Sequence, residues 1–302
     1  MSSAYTKNWL SIPEQIERLK TYGLSIPDER SAASFLSHIN YYRFSGYGLA
    51  FEQSRHCFIA GTTFEQIRDT YEFDRSLRDL CTESIEVIEL DLRTALAYSF
   101  GEKFGPFGHV ASHSFYDIST HAQWLGKLRE ETGRSSEPFV AHYKTRYREY
   151  PDLPIWVAAE IMSFGALSKM YRCMMKKDQK TVAARYGLQP ETLRSWIHHL
   201  VYIRNLCAHH ARLWDRIWAI KPHLPAGKAW EPPSLPGNTR LFASLLLQNS
   251  MLQHCPTERA FAHDWRRRVN QLLTDKLPTC PNPKFKMDMP DNWEFHPLWR
   301  KK

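Results

Sequence analysis

The chain has 302 residues, 40 Lys and Arg against 32 Asp and Glu, a formal charge of +8 at pH 7, and a hydrophobic fraction of 43%. That apolar content excludes a disordered chain, and no run approaches the ~20 consecutive apolar residues of a membrane-spanning helix. Six cysteines that never come closer than 24 positions exclude a CxxC zinc ribbon or redox pair, and the basic balance favours a polyanionic partner.

The N-terminal stretch "MSSAYTKNWLSIPEQIERLK" lacks the apolar core and cleavage site of a secretory signal, so a soluble, cytoplasmic protein with free thiols and no membrane partner is expected. Two short helices are predicted at about 11–22 and 28–40. The second leads into "INYYRFSGYG" (39–48), whose glycines allow an abrupt turn. From Phe64 an apolar stripe through Ile67, Tyr71, Leu77, Cys81, Ile85, Ile88, Leu92 and Ala95 steps by threes and fours, interrupted at Asp74. With Thr62 or Thr63 as N-cap and Gly101 near its end, it reads as one very long helix.

Further helices are predicted near 120–132, 136–148, 155–176, 178–187 and from about 190. "PIWVAAEIM" suits a helix opened by Pro154, and no strand is predicted. Five prolines between Pro222 and Pro236 mark a break. Helices at about 239–253 and 257–276 and a proline-rich tail come after it. Residues 1–60 are thus taken as an N-terminal helical region, 61–225 as a helical core, and 226–302 as linker, helical appendage and tail. The fold class expected is all-α, a helical bundle around one long helix with a C-terminal helical appendage.

Chemistry concentrates in "IRNLCAHHARLWDR", residues 203–216. The apolar positions Leu193, Ile197, Leu200 and Cys207 share one side of a helix, and Arg204 falls about 20° from Ile197 at ~100° per residue. Arg204 is therefore expected near the centre of the buried stripe, where it needs a carboxylate such as Glu86 or Glu89, or a bound anion. His209 and His210 come five and six positions later, and a loosened last turn would bring them toward Arg204. Guanidinium binds two phosphate oxygens through its planar fork, and imidazole moves protons near neutrality, a combination suited to phosphodiester chemistry on RNA without metal.

Arg204-Asn205-Leu206-Cys207-Ala208-His209 resembles the R-(N/D/H)-x-x-x-H signature of the HEPN superfamily of helical ribonucleases. "INYYRFSGYG", "GTTFEQIRDTYEFDRSLRDL" (61–80), "IEVIELDLRTALA" (85–97) and "LPIWVAAEIMSFGALSKMY" (153–171), in order with the motif, resemble the Abi-like abortive-infection family of bacterial phage-defence proteins, in its AbiD/AbiF group. The resemblance spans roughly residues 10–225. It implies a HEPN-type bundle that cleaves RNA on infection, with an active centre formed where two copies meet. By position, Arg204 would hold the scissile phosphate, His209 would act as general acid or base, and Asn205 would orient them. His210 satisfies a looser spacing of the same signature. A homodimer and a structured regulatory RNA are implied as partners, and no metal or other cofactor.

Candidate RNA contacts elsewhere are Tyr41, Tyr42 and Arg43, able to stack on unpaired bases, and Arg75, Arg78 and Arg212 as phosphate contacts. Asp74 and Arg78 could instead pair at i,i+4 on the long helix. Cys207, His209 and His210 lack a second spaced ligand pair, so no closed zinc site is expected. Two other readings compete. "KTVAARYGLQPETLRSWI" (180–197) has the spacing of a DNA-binding helix-turn-helix offering Thr192, Arg194 and Ser195 to bases, although its second half is as apolar as a core helix. A noncatalytic RNA-binding module is the other.

Overall fold

The structure is a computed structural model that describes residue 4, residues 8–255 and residues 258–300. It is predominantly α-helical and divides into two compact units, residues 1–77 with 269–283, and residues 78–268 with 284–302.

The first unit opens with α1 (Ile12–Thr21), whose N-cap Ser11 and Glu14 close a capping box, and α2 (Glu29–Ile39), capped by Asp28. The abrupt turn expected at the glycines of "INYYRFSGYG" lies instead at Asn40, which takes φ 67° and caps α3 (Tyr41–Gly48) through its side chain. The glycines sit inside that helix, and a Cβ on Gly48 would lie 3.3 Å from the Phe58 ring. Beyond it runs a small antiparallel hairpin, β1 (Glu52–Ser54) and β2 (Cys57–Phe58), turning through His56 at φ 64°. It corrects the strand-free expectation, since strands of three and two residues are too short to leave a periodic signal. Phe44 and Phe64 stack in its core (4.4 Å between centroids), with the half-buried Phe35 edge-on to both.

The long helix α4 (Phe64–Phe104) supplies residues to both units. Thr63 is its N-cap: its hydroxyl accepts from the Gln66 N–H, while the Gln66 side chain accepts from the Thr63 N–H. It passes the expected stop at Gly101 and ends before Gly105, which takes φ 71°.

In the second unit come α5 (Ile118–Arg134), α6 (Pro138–Arg146), α7 (Ile155–Ile161), α8 (Phe164–Cys173), α9 (Lys176–Arg185) and α10 (Pro190–Ala208). The single helix expected at 155–176 is broken because Ser163 N-caps a new one, its hydroxyl accepting from the Ala166 N–H. Packing pairs α8 with α5 and α10, and α9 with α10. The segment after the prolines contributes α11 (Leu241–Leu252), in which every residue but Ser250 is buried, together with part of α12 (Arg259–Asp275) and α13 (Pro297–Arg300). An all-round apolar helix belongs in a core, so α11 is built into this unit. Among the described residues no helix is long and apolar enough to cross a membrane.

Candidate active site at the end of α10

Helix α10 starts at Pro190, whose missing N–H costs nothing in a first turn, and buries Thr192, Leu193, Trp196, Ile197, His199, Leu200, Ile203 and Cys207. Trp196, His199 and Ile203 move the middle of that buried arc away from Ile197. Arg204 consequently lies roughly 70° from the arc's centre at ~100° per residue, and it is exposed. This corrects the expectation of a buried guanidinium, which took only four apolar positions to define the stripe.

The expected carboxylate is occupied elsewhere. Glu89 on α4 pairs with Arg93 at 2.8 Å. Burial raises the Glu89 carboxyl above its usual range, and the charges of Arg93 and Arg204 oppose that rise. Arg204 itself donates from Nη1 to the Oδ1 of Asn205 at 3.3 Å, and both side chains face solvent.

The helix stops in a Schellman closure. His209 is the C-cap, its N–H bonded to the Asn205 carbonyl (3.0 Å). The His210 N–H bonds back to Cys207 (2.9 Å) and the Ala211 N–H to Leu206 (2.8 Å). The position past the cap, where glycine is usual, is His210, at φ 53°. Both imidazoles are exposed. Along an undisturbed helix His209 would lie about 140° from Arg204, so within one chain they share the helix end rather than one face.

The chain beyond the cap holds that end still. Leu213 and Trp214 are fully buried, Arg212 pairs with Asp215 (2.9 Å), and the Arg216 Nε donates to the Arg212 carbonyl (2.7 Å). Arg240, at the start of α11, donates to the carbonyls of Asp215 and Lys286.

Behind α10 lies a buried polar chain. The Nδ1–H of His199 donates to the Ile220 carbonyl (2.6 Å), and its Nε2 accepts from the Ser244 hydroxyl (2.7 Å). The Gln248 amide donates to the Ser244 carbonyl, and the Gln248 Oε1 accepts from Ser84 on α4. Burial pushes the His199 imidazole down to about 4, so it stays neutral. His199 was not among the residues expected to matter, because it stands outside the motif. Its signal in the sequence is a histidine in the middle of an apolar helix.

Of the other candidates, Arg212 stands with the motif. Arg78 is only 5% exposed and so is turned away from any surface phosphate. Tyr41, Tyr42, Arg43 and Arg75 belong to the first unit, where Tyr42 is 87% exposed and Arg75 lies near Glu72. In that unit Asp74 is buried and accepts from the Tyr47 hydroxyl at 2.7 Å.

A helix-turn-helix is present in outline, α9 and α10 joined through Gly187 at φ 64°. On its second helix Arg194 is exposed, but the other two residues offered to bases are engaged within the chain. Thr192 is buried against His223, the Ser195 hydroxyl accepts from the His223 N–H, and the Trp196 indole donates to the His223 carbonyl. The segment around His223 thus covers part of the base-reading end.

A family model described as Abi-like protein matches residues 34–215, a span that holds the whole of α10 and the closure after it. No curated protein and no solved structure matches the chain.

Proposed function

Since the chain belongs to the Abi-like protein family, we propose that it is an abortive-infection effector of HEPN type, a homodimeric endoribonuclease whose chemistry is carried by Arg204 and His209. The observation that carries this reading is one exposed helix end presenting Arg204, Asn205, His209 and His210, with the chain on either side fixed by buried anchors.

The reaction is transesterification within RNA. The 2′-oxygen attacks its adjacent phosphorus, the bond from phosphorus to the 5′-oxygen breaks, and a 2′,3′-cyclic phosphate and a 5′-hydroxyl result. Arg204 binds the non-bridging oxygens and steadies the charge that grows on them. One imidazole accepts the 2′-hydroxyl proton and another donates to the leaving 5′-oxygen. Asn205, already bonded to Arg204, orients the guanidinium. Two protons must move on opposite sides of the phosphorus, and one chain offers Arg204 and His209 on different faces of the helix end. Two copies meeting at these ends would supply both histidines, which is why the homodimer belongs to the proposal. A structured RNA restraining the pair until infection is part of the same reading, as is a cytoplasmic place of action.

The nucleophile is the substrate's own hydroxyl, so activity is expected to persist in EDTA. Arg204→Ala and His209→Ala should each lower the single-turnover cleavage rate by at least about a hundredfold, a scale typical of losing one charge-stabilising or proton-transferring group. Both are exposed and should leave the melting temperature nearly unchanged. Cleavage that survives both substitutions in a folded preparation would remove these residues from the mechanism.

A further inference from the structure

Helix α6 and the turn after it carry a second feature of the second unit that the α10 site does not use. The stretch "AHYKTRYREY" (141–150) alternates aromatic and basic side chains. Val140 is the one buried residue of α6, so this helix contributes almost nothing to a core. This nine-residue helix, with one buried side chain, turns Lys144 and Arg146 to solvent, and the turn after it adds Tyr147 and Arg148, both exposed.

The charges there are weakly neutralised. Arg148, 94% exposed, has Glu149 beside it at 3.3 Å, and that is the single carboxylate in 138–150. Lys144 lies over the Tyr150 ring at 5.5 Å. Among the described residues no carboxylate lies within ion-pairing distance of Lys144 or Arg146, and both are exposed. Tyr143 and Tyr147 stand one turn apart with ring centroids at 4.5 Å, and Tyr147 is 45% exposed.

Exposed cations attract phosphates, while an exposed aromatic ring accepts a base on its face only if that base is unpaired. Both kinds of group occur here on one arm. We propose that α6 and its following turn form a binding site for single-stranded RNA, with Lys144, Arg146 and Arg148 on the backbone and Tyr147 stacking a base. This rests on the reading of the chain as an RNA-acting protein and names where that RNA is held apart from Arg204 and His209. A duplex would satisfy the cations and leave the tyrosine unused.

The test uses the full chain carrying His209→Ala, so that RNA is bound without turnover, and follows a labelled oligouridylate by fluorescence anisotropy across a salt series. Combined Lys144→Gln, Arg146→Gln and Arg148→Gln should weaken binding at least about tenfold at physiological salt and reduce the slope of log affinity against log salt by about 2, at ~0.7 per phosphate contact on a single strand. Tyr147→Ala should weaken it about tenfold with the slope unchanged, the mark of lost stacking. These positions are exposed, and glutamine keeps helix propensity, so circular dichroism should be unaltered.

Unchanged affinity and slope in the triple variant overturn the proposal, as does tighter binding of a hairpin duplex than of the single strand. Cleavage assays in the chain with His209 intact separate the two ideas. If wild type and triple variant cleave with one KM, the arm is dismissed and the ribonuclease reading stands. If the arm binds RNA as described and the chain never cleaves, the arm stands and that reading falls. No binding to any RNA removes both.

Discussion

His210 occupies a backbone conformation that costs most side chains about 1–2 kcal/mol and costs glycine nothing. A strained residue inside a candidate site points to a role for its side chain, and its imidazole is the group in question. His210→Gly should therefore be at least as stable as the parent, by up to about 1 kcal/mol, whereas His210→Val should lose about 1 kcal/mol or more. Urea unfolding distinguishes the two, and equal stabilities would mean the left-handed closure does not form. If His210 shares in the chemistry, the glycine variant is less active while no less stable. Arg204 is the complementary case. The spacing from Arg204 to His209 was legible in the sequence, but the depth of Arg204 was not, because burial on α10 is set by Trp196, His199 and Ile203 meeting their neighbours. Removing the buried-ion-pair alternative strengthens the case for an exposed guanidinium that meets phosphate from solvent.

Among the elements, α10 is the one that carries the proposed site, and the chain through His199, Ser244, Gln248 and Ser84 ties it to α11 and α4. Ser244→Ala leaves the His199 Nε2 without its donor in a buried setting, a loss of about 1–3 kcal/mol. A lower chemical-denaturation midpoint with an unchanged slope is expected; no change would mean the network bears no weight. Long periodic helices were readable in advance, which is why α4, α5, α9 and α10 fall close to their predicted ranges. The rest was decided by single residues or by distant contact. Ser163 breaks the helix at 155–176 through one cap, Asn40 makes the turn credited to glycines, and the hairpin at His56 is too short to show a period. The burial of α11 on all sides was written in "LFASLLLQNSML", yet its place in the core depends on partners more than a hundred residues earlier.

For the molecule as a whole, the buried histidines set an acid limit. Burial lowers His109 and His199 to about 4 each, below the ordinary value of 6.5, so the folded state takes up protons later than the unfolded chain. Their contribution is complete above pH 6.5 and is lost as pH falls from there toward 4. Thermal melts should hold steady between about pH 8 and 7 and drop through roughly the range 6 to 4, with His199→Gln flattening part of that fall. Melting temperatures that stay level down to about 4 would show that neither imidazole is buried neutral. The net charge of +8 is a property of the same scale, and it favours a polyanionic partner. The most direct measurement is the chemistry of the cut ends. A defined single-stranded RNA incubated in EDTA with the purified chain and with its His209→Ala variant, then read by mass spectrometry, should yield 2′,3′-cyclic phosphate and 5′-hydroxyl termini from the parent alone. A 3′-hydroxyl with a 5′-phosphate, or identical products from both proteins, would contradict the account.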